Sequence, residues 1–151
     1  MHRLTHTTSI ILGGLVAALF AGILYAGGGG GKPYTVKKGH LVDSETYNGW
    51  RRFEGTCNRC HGPEGVGSTL APALTTKNGR LQGMNFIVFK TVVTNGFKGQ
   101  IGTMPAFGKD KNIAPYIDDI WSYLQAIKDG AITGKVEELG GGGPKKYRGW
   151  E

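Results

Sequence analysis

The sequence places two thiols and one imidazole within five residues, in the segment Cys57-Asn58-Arg59-Cys60-His61. Three kinds of chemistry use such groups: dithiol exchange, zinc binding and covalent attachment of haem. A thioredoxin-type dithiol lies in a βαβ unit, and the surrounding pattern does not predict one. A structural zinc site needs four ligands, and after residue 26 the chain adds only His40 to these three.

Haem attachment fits this motif best. Two thiols three residues apart at the end of a helix lie on one side, so each can add to a vinyl group of haem. The imidazole of His61 follows the second thiol directly, which brings it to the iron as the proximal ligand. Covalent attachment also explains how a small domain can hold a large flat cofactor. The sequence therefore predicts one covalently bound haem c on Cys57, Cys60 and His61.

A six-coordinate haem needs a second axial ligand, and Met104 is the predicted one. It lies in the segment Gly102–Phe107, far enough along the chain from His61 to reach the other face of the haem. A thioether is a soft ligand that favours ferrous iron and raises the reduction potential relative to a haem with two histidines. Met84 lies in an apolar segment and is predicted to fill the core. His40 precedes the first predicted helix and is predicted to lie on the surface.

Two helices are predicted to position these ligands. Asp43 has the side chain and location of an N-cap, and the helix that it starts runs directly into Cys57. Apolar residues then recur at intervals of four and three near the end of the chain, which predicts a last helix with Pro115 in its first turn and Gly130 at its end. These residues are Ile113, Ile117, Ile120, Leu124 and Ile127.

The segment between these two helices is less regular. Its apolar part, 82–95, has the β-branched and aromatic residues of a strand, but its length and the closing Asn95-Gly96 favour a helix. The following stretch, 96–110, holds four glycines and Pro105 and is predicted to be a loop.

The N-terminus has the pattern of a targeting segment. The first nine residues include Arg3 and no acidic residue, and a mainly apolar run follows from Ile10 to Leu24. This pattern is typical of a signal peptide cleaved near Ala26. The alternative is an uncleaved anchor, because Ile10–Ala26 is at the short limit for a membrane span. Both readings export the rest of the chain across a membrane, which argues against a nucleic-acid partner for a chain whose full sequence has a net charge of +7.

The chain of 151 residues is long enough for one domain. Its 27 glycines are concentrated in part in two runs, 27–31 and 140–143, and such runs are flexible. The predicted organisation has four parts: residues 1–26 are the signal peptide or anchor, 27–40 a Gly-rich flexible tether, 41–130 the folded domain and 131–151 a flexible C-terminal tail.

The segment over about 45–130 resembles the class I c-type cytochromes. Gly49 and Phe53 precede Cys57 by eight and four residues, as the glycine and aromatic residue of the family's first helix do, and Tyr123-Leu124 resembles the pair that packs across them. The resemblance implies an all-α fold, a small helical bundle around one covalently attached haem. It also implies that the backbone carbonyl of Pro72 accepts a hydrogen bond from His61.

The haem propionates need donors as well. The candidates are Arg80, Arg51, Arg52 and Trp50, and the sequence does not rank them.

The segments 47–56 and 113–124 resemble a narrower group, the cytochrome cL-like acceptors of periplasmic PQQ-dependent methanol or alcohol dehydrogenases. This resemblance implies a periplasmic electron carrier that receives electrons from such a dehydrogenase and passes them to another c-type cytochrome or a terminal oxidase. Contact with the membrane is expected only if residues 1–26 are retained. Exposed basic residues, Arg59 among them, are expected to steer the protein to an acidic partner.

Coordination by both His61 and Met104 leaves no vacant position on the iron, so the expected activity is electron transfer without a catalytic residue. Two alternatives remain open. One is a general periplasmic shuttle between respiratory complexes. The other is a small haem enzyme or ligand sensor with a displaceable sixth ligand.

Overall fold

The computed structural model describes residues 31–140. The predicted leader over 1–26 and the end of the predicted tail, 141–151, lie outside the described residues. The described part contains four α-helices, α1 Ser44–Arg52, α2 Asn58–His61, α3 Phe86–Asn95 and α4 Ile117–Lys128. A π-helical turn, Phe53–Cys57, joins α1 to α2, and 3-10 turns, Pro63–Gly65 and Ala114–Tyr116, follow α2 and precede α4. None of the helices within 31–140 combines the length and apolar character needed to cross a bilayer.

Helix α1 begins where the sequence predicts. The backbone of Asp43 is extended, and its Oδ1 accepts a hydrogen bond from the backbone N–H of Thr46 at 2.7 Å. This cap satisfies one of the N–H groups that the first turn of a helix leaves without a partner. Glu45 adds a negative charge in the same turn, where the helix dipole favours it.

Helices α1 and α4 cross closely, and Gly49 makes the crossing possible. A Cβ atom added to Gly49 would lie 1.9 Å from the backbone oxygen of Asp119. One turn further along, the ring of Phe53 packs on the ring of Tyr123 with centroids 5.7 Å apart. Both aromatic residues are 1% exposed. The packing implied by the family resemblance is therefore present, and it anchors the N-terminal helix at the point where it runs into Cys57.

Helix α4 supplies much of the core. Four residues of its predicted apolar stripe are at most 2% exposed, namely Ile113, Ile117, Ile120 and Leu124. Pro115 lies in the 3-10 turn that precedes the helix, so the α-helix itself begins at Ile117. Helix α3 also forms, in agreement with the prediction for 82–95, and Asn85 caps it by accepting a hydrogen bond from the N–H of Val88 at 3.0 Å.

The stretch 96–110 differs from the loop that the sequence predicts. It contains a hairpin of two short strands, β3 Phe97–Lys98 and β4 Thr103–Met104, with Phe97 opposite Met104. The glycines that suggest a loop lie partly in its turn, where the N–H of Gly99 donates to the oxygen of Gly102 at 2.9 Å.

The ordered packing also extends beyond the predicted domain of 41–130. A small sheet contains β1 Val36–Lys37, β2 Leu41–Val42 and β5 Glu137–Glu138 in the order β1-β2-β5. Strand β2 pairs antiparallel with β1 and parallel with β5. Ile132 and Val136 are each 7% exposed, so the chain after α4 packs against the core. The part of the predicted tether from β1 onward and the start of the predicted tail thus belong to the folded unit, because their apolar side chains and strand hydrogen bonds hold them there.

Candidate haem site

The two cysteines lie on one continuous helical stretch that begins at α1. Cys57 ends the π-helical turn and is half-buried against the core, whereas Cys60 in α2 is exposed. Burial raises the pKa of the Cys57 thiol to about 12, and the neighbouring Cys60 and Glu54 add to the rise. The surroundings of Cys57 therefore favour an uncharged sulfur. A thioether to haem satisfies this preference, whereas a zinc site needs the thiolate.

The imidazole of His61 is held by the chain eleven residues further on. Its Nδ1 lies 3.0 Å from the backbone oxygen of Pro72. A carbonyl oxygen only accepts, so Nδ1 donates here, and Nε2 is the ring nitrogen left to bind a metal. This is the arrangement found for histidines that bind metals, since the outer hydrogen bond fixes the ring and makes the other nitrogen a stronger donor.

Hydrogen bonds fold the segment after α2 back onto the cysteine motif. The N–H of Gly67 donates to the oxygen of His61 at 2.6 Å, and Ser68 Oγ donates to the oxygen of Cys60. Further along, the N–H of Arg80 donates to the oxygen of Ala73 at 2.9 Å. These contacts bring Pro72 to His61.

Met104 is placed by the β3–β4 hairpin, on a different part of the chain from the cysteine motif. Gly96 enters the hairpin at φ +76°, and a Cβ there would lie 2.7 Å from the oxygen of Met104. The loop then returns to α3, where the N–H of Phe107 donates to the oxygen of Val93 at 2.9 Å. Met104 is half-buried. Its backbone is thus fixed on both sides of the thioether.

The other candidate ligands occupy different surroundings. Met84 is half-buried and packs against the core before α3. His40 lies in the turn between β1 and β2, with Nδ1 2.8 Å from the backbone oxygen of Lys38.

The candidate propionate donors are not gathered at one place by the described contacts. Arg80 and Arg51 are exposed. The guanidinium of Arg52 lies over the ring of Tyr116 at 4.0 Å from its centroid. Trp50 packs against Tyr47, with ring centroids 5.3 Å apart.

The described residues fit a haem in two respects. The donor set comprises two thiols one helical turn apart, an imidazole with Nε2 free to coordinate, and a thioether from a separate hairpin. Large apolar side chains are also exposed in the segments that carry these donors, with Leu70 at 63%, Phe97 at 59% and Ile101 at 61%. The two segments meet near Gly102, where an added Cβ would lie 3.5 Å from the oxygen of Leu70. A large flat apolar cofactor would cover such surface.

Sequence reasoning missed one residue, Glu54. Its half-buried carboxylate accepts hydrogen bonds from Asn58, inside the cysteine motif, and from Tyr123 of α4. The spacing of four residues between Glu54 and Asn58 on a helix is a signal for the first contact. The second depends on the crossing of two helices that are 69 residues apart in the chain.

A site of this kind, on a small helical fold, defines the class of the c-type cytochromes. The family model described as cytochrome c oxidase, cbb3-type, subunit III matches residues 44–124. The chain is 41% identical over 104 residues to cytochrome c-553I of Paracoccus denitrificans, an alignment that covers 66% of this chain and 44% of that protein. It is 34% identical over 99 residues to cytochrome c-555 of Methylococcus capsulatus (strain ATCC 33009 / NCIMB 11132 / Bath), covering 64% and 75% respectively.

A solved structure supports the same fold. The c-type cytochrome XoxG from Methylobacterium extorquens AM1 superposes with a TM-score of 0.59 at 38% identity, covering 68% of this chain and 65% of that one. The chain therefore belongs to the cytochrome c family, and its fold is that of the class I cytochromes c. Its cofactor is haem c, covalently bound. The chain spans less than half of the Paracoccus protein and about two thirds of the Methylobacterium one.

Proposed function

We propose that this protein carries single electrons in the periplasm through one haem c, attached to Cys57 and Cys60 and coordinated by His61 and Met104. The observation that carries the proposal is the hydrogen bond between His61 Nδ1 and the oxygen of Pro72, directly after the two thiols. It leaves Nε2 as the coordinating atom and holds the ring in one orientation.

The residues of the site favour electron transfer over catalysis. Haem c, when bound, supplies an iron that accepts and releases one electron. His61 is kept in one tautomer by Pro72, and Met104 is held by a hairpin whose two ends are tied to the fold. Residues held in this way need little rearrangement when the charge of the site changes. If His61 and Met104 both bind the iron, the chain would fill both axial positions and neither oxygen nor peroxide would have a place to bind.

We propose a PQQ-dependent alcohol or methanol dehydrogenase as the electron donor. The support is the resemblance of segments 47–56 and 113–124 to the cytochromes that serve such enzymes. Oxidation of an alcohol to an aldehyde releases two electrons and two protons, so each turnover reduces two molecules of this protein. Another c-type cytochrome or a terminal oxidase then takes one electron from each. The basic start and apolar run of the N-terminus support export to the periplasm.

Rapid mixing of the oxidised holoprotein with a reduced PQQ-dependent dehydrogenase tests the donor. We expect haem reduction at least tenfold faster than that of an unrelated basic cytochrome of similar potential. The rate should fall as salt is added, because the partners attract each other through charge. Substitution of the exposed Arg59 by Glu should slow the reaction, whereas Lys135→Glu, on the loop before β5, should not. Equal rates for the two cytochromes would favour the general periplasmic shuttle.

The electronic spectrum separates an electron carrier from a haem enzyme or ligand sensor. We expect a low-spin oxidised protein that does not bind carbon monoxide when reduced. A high-spin spectrum or rapid carbon monoxide binding would contradict coordination by both His61 and Met104.

A further inference from the structure

Glu54 connects three parts of the molecule through one carboxylate. It lies in the π-helical turn, three residues before Cys57. Its Oε2 accepts a hydrogen bond from Asn58 Nδ2 at 2.6 Å, and its Oε1 accepts one from Tyr123 Oη at 3.2 Å and one from the backbone N–H of Glu64 at 3.3 Å. The donors come from the cysteine motif, from helix α4 and from the 3-10 turn after His61.

These three contacts join the haem-attachment turn to the core. Tyr123 is 1% exposed and packs on Phe53, so its hydroxyl is a fixed point in the fold. Asn58 lies between the two cysteines on the same helical stretch. Glu54 therefore links the cysteine motif to Tyr123, a buried residue of α4, through hydrogen bonds.

The same carboxylate brings a negative charge close to the attachment site. Each of its three donors is uncharged, so the hydrogen bonds hold the charge in place without neutralising it. The charge of Glu54 acts on Cys57: burial raises the pKa of this thiol most, and Cys60 and Glu54 raise it further. Burial followed by Glu54 also raises the pKa of Tyr123.

We propose that Glu54 is a positioning residue that fixes the haem-attachment turn against α4 and, through its charge, lowers the midpoint potential of the haem. The proposal rests on attachment of haem at Cys57, as set out above. Ferric haem carries one more positive charge than ferrous haem, so a nearby fixed negative charge stabilises the ferric form. Partial burial makes this effect stronger than that of a carboxylate surrounded by water.

Redox titration of the purified holoprotein tests the charge. Glu54→Gln removes the charge and keeps an oxygen that can accept from Tyr123, and we expect its midpoint potential to rise. The matched control is Glu45→Gln, which removes an exposed charge at the other end of α1 and should leave the potential at its wild-type value. Equal potentials for wild type and Glu54→Gln would overturn the proposal, as would equal shifts in the two variants.

Two further variants separate charge from packing and also serve if Glu54→Gln yields no holoprotein. Glu54→Asp and Tyr123→Phe keep the carboxylate charge but weaken the contact between Glu54 and Tyr123. Both should lower the thermal unfolding temperature of the holoprotein and leave the midpoint potential close to the wild-type value; a potential that rises in both variants would contradict the proposal even if Glu54→Gln yields no holoprotein. A potential that shifts in Tyr123→Phe as far as in Glu54→Gln would show that packing sets it, against the proposal.

The pyridine haemochrome spectrum of the wild type distinguishes failure of this proposal from failure of the proposed function. A spectrum whose band position differs from that of a haem with two thioether bonds would overturn haem attachment at both cysteines. A normal spectrum with a potential insensitive to Glu54 would overturn only the role of Glu54.

Discussion

His61 and Pro72 are joined by a hydrogen bond of 3.0 Å between Nδ1 of the imidazole and the backbone oxygen of the proline. The bond spans eleven residues and closes the segment after the cysteine motif into a loop. It gives the imidazole a fixed tautomer and a fixed plane, which are the properties that a proximal haem ligand needs.

Loosening this loop should raise the midpoint potential. In Pro72→Ala the carbonyl remains, but the ring that fixes the backbone is lost, so the hydrogen bond to His61 weakens and the imidazole donates less to the iron. We expect a rise of up to about 59 mV, the equivalent of a tenfold change in a one-electron equilibrium. Redox titration measures the change, with Pro33→Ala, an exposed proline that precedes β1, as the control. A shift in the control as large as in Pro72→Ala would refute this explanation.

Removal of the Met104 thioether should open the sixth position. In Met104→Ala we expect the potential to fall by more than about 59 mV and the reduced protein to bind carbon monoxide. The control, Met84→Ala, removes a thioether that packs against the core, so it should lower stability by about 1–3 kcal/mol without changing the potential. If Met84→Ala rather than Met104→Ala opens the site, the ligand assignment is wrong.

A methyl group at the helix crossing should destabilise the fold. In Gly49→Ala the new Cβ would lie 1.9 Å from the oxygen of Asp119, so α1 and α4 must separate. We expect a loss of about 3 kcal/mol or more in the free energy of unfolding, or failure to accumulate holoprotein. Gly55→Ala is the control, since nothing lies within 4 Å of its added Cβ and alanine favours a helix by up to about 1 kcal/mol. Denaturant unfolding of both holoproteins gives the comparison, and similar stabilities would contradict the close crossing.

Ionised Asp129 should contribute to the free energy of unfolding, and this contribution should be lost in acid. Its burial acts to raise the pKa, but hydrogen bonds from Tyr34 and Lys32 outweigh this and lower it below the ordinary value of 3.8. The stabilisation is therefore present above the pKa of the unfolded chain and is lost as the pH falls through the lower pKa of the folded state. In Asp129→Asn we expect a loss below about 1 kcal/mol at neutral pH that shrinks as the pH falls below the ordinary carboxyl pKa of 3.8.

Unfolding of wild type and Asp129→Asn across this pH range measures the effect. Tyr34→Phe removes the donor whose Oη lies 2.7 Å from Asp129 Oδ2, and it should move the loss of stability to higher pH. A difference between wild type and Asp129→Asn that persists unchanged at low pH would exclude the ionised carboxylate as its cause.

The sequence alone was sufficient for the features that depend on short spacing. The cysteine motif, the Asp43 cap and the apolar stripe of α4 are all read within one or two helical turns, where the geometry of a helix relates neighbours directly. The contact between His61 and Pro72 was also expected, although only from the resemblance to a family and not from spacing.

The tertiary structure decided the features that join distant segments. The sequence did not predict the hairpin that carries Met104, because the glycines of its turn indicate a loop. The strands at 36–37 and 137–138 could not be predicted either, because strands of two residues show no periodicity. The contact of Glu54 with Tyr123 exists only because Gly49 lets α1 and α4 approach. Local spacing specifies which groups can react with haem, whereas the closeness of groups far apart in the chain depends on how the helices pack, and no short pattern encodes that packing.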